Sequence, residues 1–202
     1  MSNFQFLQKE WPALFIAANK AEGLVHSDPR ASCFYARYAL EQAVHWLYKH
    51  DKGLHLPYQD NLSALIHEPS FKHSVGNALF TKAKLIKELG NLAVHSNKSI
   101  AFTDSLSASR ELFHFCFWLA RTYTQSVPPA PNLSFSAALI PKGLPIPSQT
   151  LAQLQQLEKD LQAKDERLSA LLADKTALSE ELQKLREEVA AAKQANAALP
   201  DT

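Results

Sequence analysis

The segment Lys84-Leu-Ile-Lys-Glu-Leu-Gly-Asn-Leu-Ala-Val-His95 gathers the side chains best suited to chemistry. Asn91 and His95 are four residues apart, so on a helix they share a face with Lys84, Lys87 and Glu88. Arg37 and Glu41 have the same spacing on an earlier helical stretch and could meet them. Two readings follow. In one, His95 transfers a proton while the basic residues hold a phosphate. In the other, His95 and Asn91 satisfy each other, or a helix end, inside a polar seam of a helical bundle. Residue types and spacing favour the second reading without closing the first.

Little else in the chain invites catalysis. There is no Gly-rich phosphate loop, dinucleotide fingerprint, GxSxG elbow or HExxH helix, and no carboxylate pair is framed with a lysine as metal-dependent nucleases require. Cys33 and Cys116 are isolated on apolar helix faces and read as core fillers. Trp11, Trp46 and Trp118 read as core rather than as a platform for stacking bases. No metal site is expected.

Helices must position these residues. From Trp11 to about Val25, Trp11, Leu14, Phe15, Ala18, Ala21 and Leu24 recur at helical intervals. Asp28-Pro29 offers a capping oxygen followed by proline at the first helical position, and the apolar residues beyond it carry a central helix to about His50. Gly53 is expected to cap its end. Leu62, Leu65 and Ile66 suggest a short helix stopped before Pro69, with Phe71 plugging the core from the following turn. A helix from Val75 to about Val94 carries the candidate cluster, and Gly90 within it suggests close approach by a neighbour. The last core helix runs from about Thr103 to Thr124. No stretch alternates with a period of two, so the expected class is all-α.

The 202 residues divide unevenly: 18 of the 19 aromatics, all 8 histidines and both cysteines precede residue 126. A bundle over 1–126 is therefore followed by two segments of other character. Residues 127–149 hold six of the 11 prolines, which exclude continuous helix, yet Leu133, Phe135, Leu139, Ile140 and Leu144 are too apolar for a free linker. This strap is expected to lie against the bundle. From 150 to 199 a long helix is expected, with no glycine, proline or aromatic residue between Leu151 and Leu199. Heptad positions a and d are filled by Leu154, Leu157, Leu161, Leu168, Leu171, Leu178, Leu182, Leu185, Val189, Ala192 and Leu199, interrupted by Lys164, Lys175 and Asn196. That is the pattern of a coiled coil, which needs a second helix from its own kind, another subunit or another domain.

Formal charge is +1, from 13 basic and 10 acidic residues in 1–126, 7 and 9 in 151–199, and Lys142 and Asp201, which cancel. Such values predict at most weak, salt-sensitive DNA contact by the bundle. The first residues lack a signal-peptide pattern and no apolar run approaches the ~18 residues of a membrane span, so a cytoplasmic protein with no membrane partner is expected.

Asn3-Phe-Gln-Phe-Leu, Trp11-Pro, Ala21-Glu22, Asp28-Pro29, Phe34-Tyr-Ala-Arg-Tyr-Ala-Leu-Glu41, Leu56-Pro-Tyr58, Gly90-Asn-Leu-Ala-Val-His95 and Leu112-Phe-His-Phe with Trp118 and Tyr123 together resemble one family. It is the helical domain of unknown function at the N-terminus of type I restriction endonuclease R subunits (HsdR), where a Pro-rich strap and a coiled coil also follow. The resemblance implies an accessory, non-catalytic region serving assembly with the modification and specificity subunits, or with the rest of its own R subunit. Self-association through the coiled coil is a further possibility, and DNA would be engaged only indirectly. The nuclease and the two ATP-driven translocase lobes of such subunits lie downstream, and this chain ends at Thr202, about where the nuclease would begin. ATP and Mg are thus implied for a full-length subunit alone, and no cofactor for this stretch.

The bundle is also similar to HEPN-type domains, some of which are metal-independent ribonucleases with an arginine four to six residues before a histidine. Here the nearest preceding basic residue on that helix is Lys87, eight positions before His95, and lysine is a poorer planar fork for phosphate. A stand-alone RNA-binding or ribonuclease domain centred on His95 is the alternative reading.

Overall fold

The computed structural model describes residues 2–142, 149–164, 166, 167, 170, 181 and 183–186. Among them the chain is all-α. Its main helices are α1 (Pro12–Leu24), α2 (Pro29–His50), α3 (Leu62–His67), α4 (Pro69–His95) and α5 (Phe102–Tyr123), with short 3-10 turns at Gln5–Leu7 and Ala137–Leu139. Residues 151–164 are helical as well. The chain forms two compact units, Met1–Gln155 and Gln156–Thr202. No helix of the described residues is long and apolar enough to cross a membrane.

The centre of the first unit is α2, which packs against α1, α4 and α5. Its composition explains how one helix can take three neighbours. Ala31, Ala36, Ala39 and Ala43 are buried with no exposure, and such small side chains let backbones approach, while Phe34, Leu40, Val44 and Leu47 fill the remaining volume. Asp28 starts α2 as its sequence predicts: Oδ1 accepts from Ala31 N at 3.0 Å and Pro29 occupies the first turn. At the other end Asp51 closes the helix. Its backbone turns extended and its Oδ1 accepts from Gly53 N at 2.8 Å, so Gly53 is held by a side chain instead of supplying the left-handed cap expected of it. Gly76 has the only positive φ among the described residues.

Gly76 also marks the main departure from the expected helix boundaries. Instead of starting at Val75, α4 begins at Pro69 and bends at Gly76, where φ is 75° and ψ 163°. Glu68 is the reason. Its carboxylate accepts from Ser70 N at 2.6 Å and Phe71 N at 3.3 Å, so Glu68-Pro69 starts a helix as Asp28-Pro29 does. The proline that stops α3 is thus also the first residue of α4. Phe71, in that first turn, does plug the core: it is fully buried between Tyr48 and Phe115, with ring centroids 6.2 and 6.4 Å away.

Residues beyond α5 touch the bundle at specific places. Ile140 is buried, and Phe135 tilts against Phe113 at 5.8 Å, whereas Leu133 and Leu139 stay about 40% and 38% exposed. Asn3, itself buried, exchanges two hydrogen bonds with the backbone of Ser136. Asp28 Oδ2 accepts from Gln149 N at 2.7 Å. Thr150 and Gln153 then cap each other reciprocally, Leu154 is fully buried, and Gln155 Nε2 donates to Val94 O at 3.0 Å. Residues 149–155 are therefore fastened to the bundle at the start of α2 and the end of α4. Leu144 lies outside the described residues.

Candidate functional site

Gly90 brings one member of the candidate cluster, Arg37, close against α4. A Cβ added there would stand 2.3 Å from Arg37 Cβ, so only glycine admits the Arg37 side chain at this crossing of α2 and α4. The helices run antiparallel: Arg30, near the start of α2, reaches the end of α4, and Tyr48, near the finish of α2, stacks on Phe71. This register carries Glu41, one turn beyond Arg37, to the level of Ile86 and Lys87.

The remaining members diverge. Lys84 pairs with Glu88 at 3.7 Å, and both line an open cleft shared with Glu111 of α5. Lys87 instead donates to Ser63 Oγ of α3 at 3.3 Å. Asn91 is half-buried, and His95 is exposed at the last position of α4. The end of that helix is taken by a residue outside the predicted cluster. Arg30 Nη1 donates to Ala93 O at 2.7 Å and to Ser96 O at 2.8 Å, and Nη2 donates to Lys98 O. A guanidinium supplies several donors in a fixed fork, so one side chain satisfies carbonyls that helix geometry leaves open. The only signal in the sequence is a basic residue in the first turn of α2, a position where the helix dipole disfavours it and a tertiary partner must compensate.

Two further groupings escaped the sequence. Glu111, only 9% exposed, receives Lys82 Nζ, Arg110 Nε at 3.2 Å and His114 Nδ1 at 3.0 Å. Burial pushes its carboxyl up, but the bonds from Lys82, His114 and Arg110 outweigh that and hold it at about 2. The Glu111 and His114 spacing of three places both on one face of α5, which is the signal that could have found them.

The second grouping is aromatic. At the end of the bundle where α1 begins and α2 and α5 finish, Trp46 stacks on His50 at 4.3 Å and meets Trp11 and Tyr123 nearly edge-on at 5.5 and 5.7 Å. Trp118 meets Tyr123 at 5.8 Å, and Tyr123 donates to Asp51 Oδ2 at 2.6 Å. Beside them Glu10 gathers the turn after α5: Thr124 Oγ1, Ser126 Oγ, Gln125 N at 2.9 Å and Ser126 N at 3.2 Å all donate to it. Those bonds lower its carboxyl to about 2. Cys33 and Cys116 are both buried, and burial raises the Cys33 thiol to about 12 and the Cys116 thiol likewise upward, which keeps both protonated and inert. Among the described residues no group of His, Cys, Asp and Glu could hold a metal ion.

Comparison with known families now bears on this geometry. A family model described as a domain of unknown function, DUF4145, matches residues 19–170, well over half of the chain. The chain belongs to the DUF4145 family. The DUF4145 match takes in α2 to α5 with the Arg37 and Gly90 crossing and the Glu111 cluster, and it runs on past Leu154. Asn3, Glu10 and Trp11 precede it. No curated protein and no solved structure matches the chain.

Proposed function

We propose that this chain is an accessory, non-catalytic interaction region of a type I restriction endonuclease R subunit: an HEPN-like bundle, a Pro-rich strap and a coiled-coil arm that serve assembly. The observation that carries the reading is what the residues of the resemblance do. Asn3 clasps Ser136, Asp28 caps α2 and catches Gln149, Gly90 admits Arg37, and Tyr123 bonds Asp51. Each is a joint of the scaffold, and two of them fasten the chain that leads into the arm. A signature made of joints specifies a shape and the departure point of an arm, which is what an assembly module needs.

The arm supplies the contact surface. Leu154 is buried at its root, Leu157 and Leu161 are half-buried, and Leu185 is about 52% exposed. Of the remaining seam, Leu168, Leu171, Leu178, Leu182, Val189, Ala192 and Leu199 lie outside the described residues. Leucines at coiled-coil positions a and d seek a second helix, offered here by the modification and specificity subunits, the rest of the R subunit, or a second copy. The reading is tested by mixing the chain with the modification and specificity subunits of its own system and sizing the mixture by chromatography with light scattering. Co-elution is expected. Separate elution, together with a monomeric mass for the chain alone, would contradict it.

A further inference from the structure

We propose that the aromatic end of the bundle docks a proline-rich segment of a partner protein in the polyproline II conformation. This goes beyond the assembly role of the arm, since it uses a different face and different residues. Two clefts, of about 700 and 270 Å³, flank the bridge that Glu10 makes to residues 124–126, and both are lined by Glu10, Trp11, Thr124 and Ser126. Trp46, His50 and Tyr123 wall the larger one. Rings set 78° and 76° to one another make ridges with slots between them, the relief into which pyrrolidine rings fit.

The smaller cleft borders the chain's own proline segment. It is lined by Phe6 and by the chain's own Val127 and Pro129, and Arg121 Nη1 donates to Pro129 O at 2.9 Å. Polyproline II has no internal hydrogen bonds, so each of its carbonyls is open to such a donor. Trp11, which lines both clefts, carries a donor without an acceptor. It is only 6% exposed, and the donor is its indole Nε1–H. A buried donor in that state calls for a partner. Among the described residues, the other buried side-chain atoms without one belong to Ser27, Gln42, Ser109 and Gln149, none of which lines either cleft. An aromatic cleft whose Trp11 carries an unused donor thus lies beside the cleft that Pro129 lines. Glu10, ionised at the shared rim, selects for a basic residue flanking the prolines.

The test is a titration of the ¹⁵N-labelled full chain with a decapeptide carrying two Pro-x-x-Pro repeats and a terminal arginine. The indole N–H resonances of Trp11 and Trp46 are expected to move, and that of Trp118, which lines neither cleft, to stay. Trp11→Phe keeps a ring and removes the donor, and should weaken binding about five- to tenfold while the circular dichroism spectrum is unchanged. No movement of the Trp11 and Trp46 resonances, equal movement with a peptide whose prolines are all alanine, or movement with a single-stranded oligonucleotide instead of the peptide would each overturn the proposal. So would unchanged affinity in Trp11→Phe.

Discussion

Asn3 and Ser136 clasp each other across 133 residues of chain: Asn3 Nδ2 donates to Ser136 O at 3.0 Å, and Ser136 N donates to Asn3 Oδ1 at 2.7 Å. One side-chain amide thus does for a passing backbone what a neighbouring strand would do. Asn3 also donates from its backbone N to Glu22 Oε1 at 3.1 Å, so the N-terminus, α1 and the proline-rich segment meet at this residue. Asn3→Ala leaves the backbone groups of Ser136 without their partner while keeping the backbone bond to Glu22, a loss of about 1–3 kcal/mol. Urea denaturation should show that loss, and limited proteolysis should show faster cleavage between residues 127 and 142. A variant as stable and as resistant as the parent would mean that the clasp contributes nothing.

The crossing of α2 and α4 gives a prediction of unusual sign. Gly→Ala inside a helix ordinarily stabilises by about 1 kcal/mol. At Gly90 the new Cβ would fall 2.3 Å from Arg37 Cβ, so Gly90→Ala should instead destabilise by about 1–3 kcal/mol. Because the clash is with a Cβ, Arg37→Ala cannot relieve it. Arg37→Gly can, and the double substitution should recover part of the loss in a thermodynamic cycle.

Glu111 sets a pH dependence. Its carboxyl is held at about 2 in the folded chain, below the ordinary value of 4.5, so its contribution to stability is present above 4.5 and disappears as pH falls from there towards 2. Its partners Lys82, Arg110 and His114 are partly exposed, which screens the cluster and limits the effect to about 2 kcal/mol. Since Glu10 is lowered to about 2 as well, the measurement is a difference. The gap in stability between the parent and Glu111→Gln should be widest near neutral pH and should close between about pH 4.5 and 2. A gap independent of pH would contradict the assignment.

His95 decides between the two readings of the polar cluster. Exposed at the end of α4, it should tolerate His95→Ala with a change in stability within about 0.5 kcal/mol. The purified chain and the variant should leave a labelled RNA equally intact. Cleavage by the parent that the variant loses would promote the ribonuclease reading over the assembly one.

How far the sequence could be read depended on whether a signal was local. Asp28-Pro29 announced a helix start because cap and proline are adjacent, and the same logic held at Glu68-Pro69, where proline was read only as a stop. Gly90 was legible as a close approach, since a glycine that weakens a helix invites a reason from outside it. The hold of Arg30 on the end of α4 was not, because its acceptors lie 63 or more residues away and carbonyls have no sequence signature. Glu111 was hidden for the same reason: its first partner, Lys82, is on another helix. Of the tryptophans read as core, Trp11 is buried while Trp46 and Trp118 are half-buried, and no pattern tells that Trp11 ends with a donor unused beside a cleft.

In the proposed assembly role, the leucine seam of the arm binds another helix. Sedimentation velocity of the chain and of Leu161→Asp/Leu185→Asp, each alone and with the modification and specificity subunits, tests it most directly. A larger species is expected for the parent in at least one of these mixtures, and its loss in the variant with the helical circular dichroism of the bundle retained. Identical sedimentation of parent and variant under both conditions would contradict it.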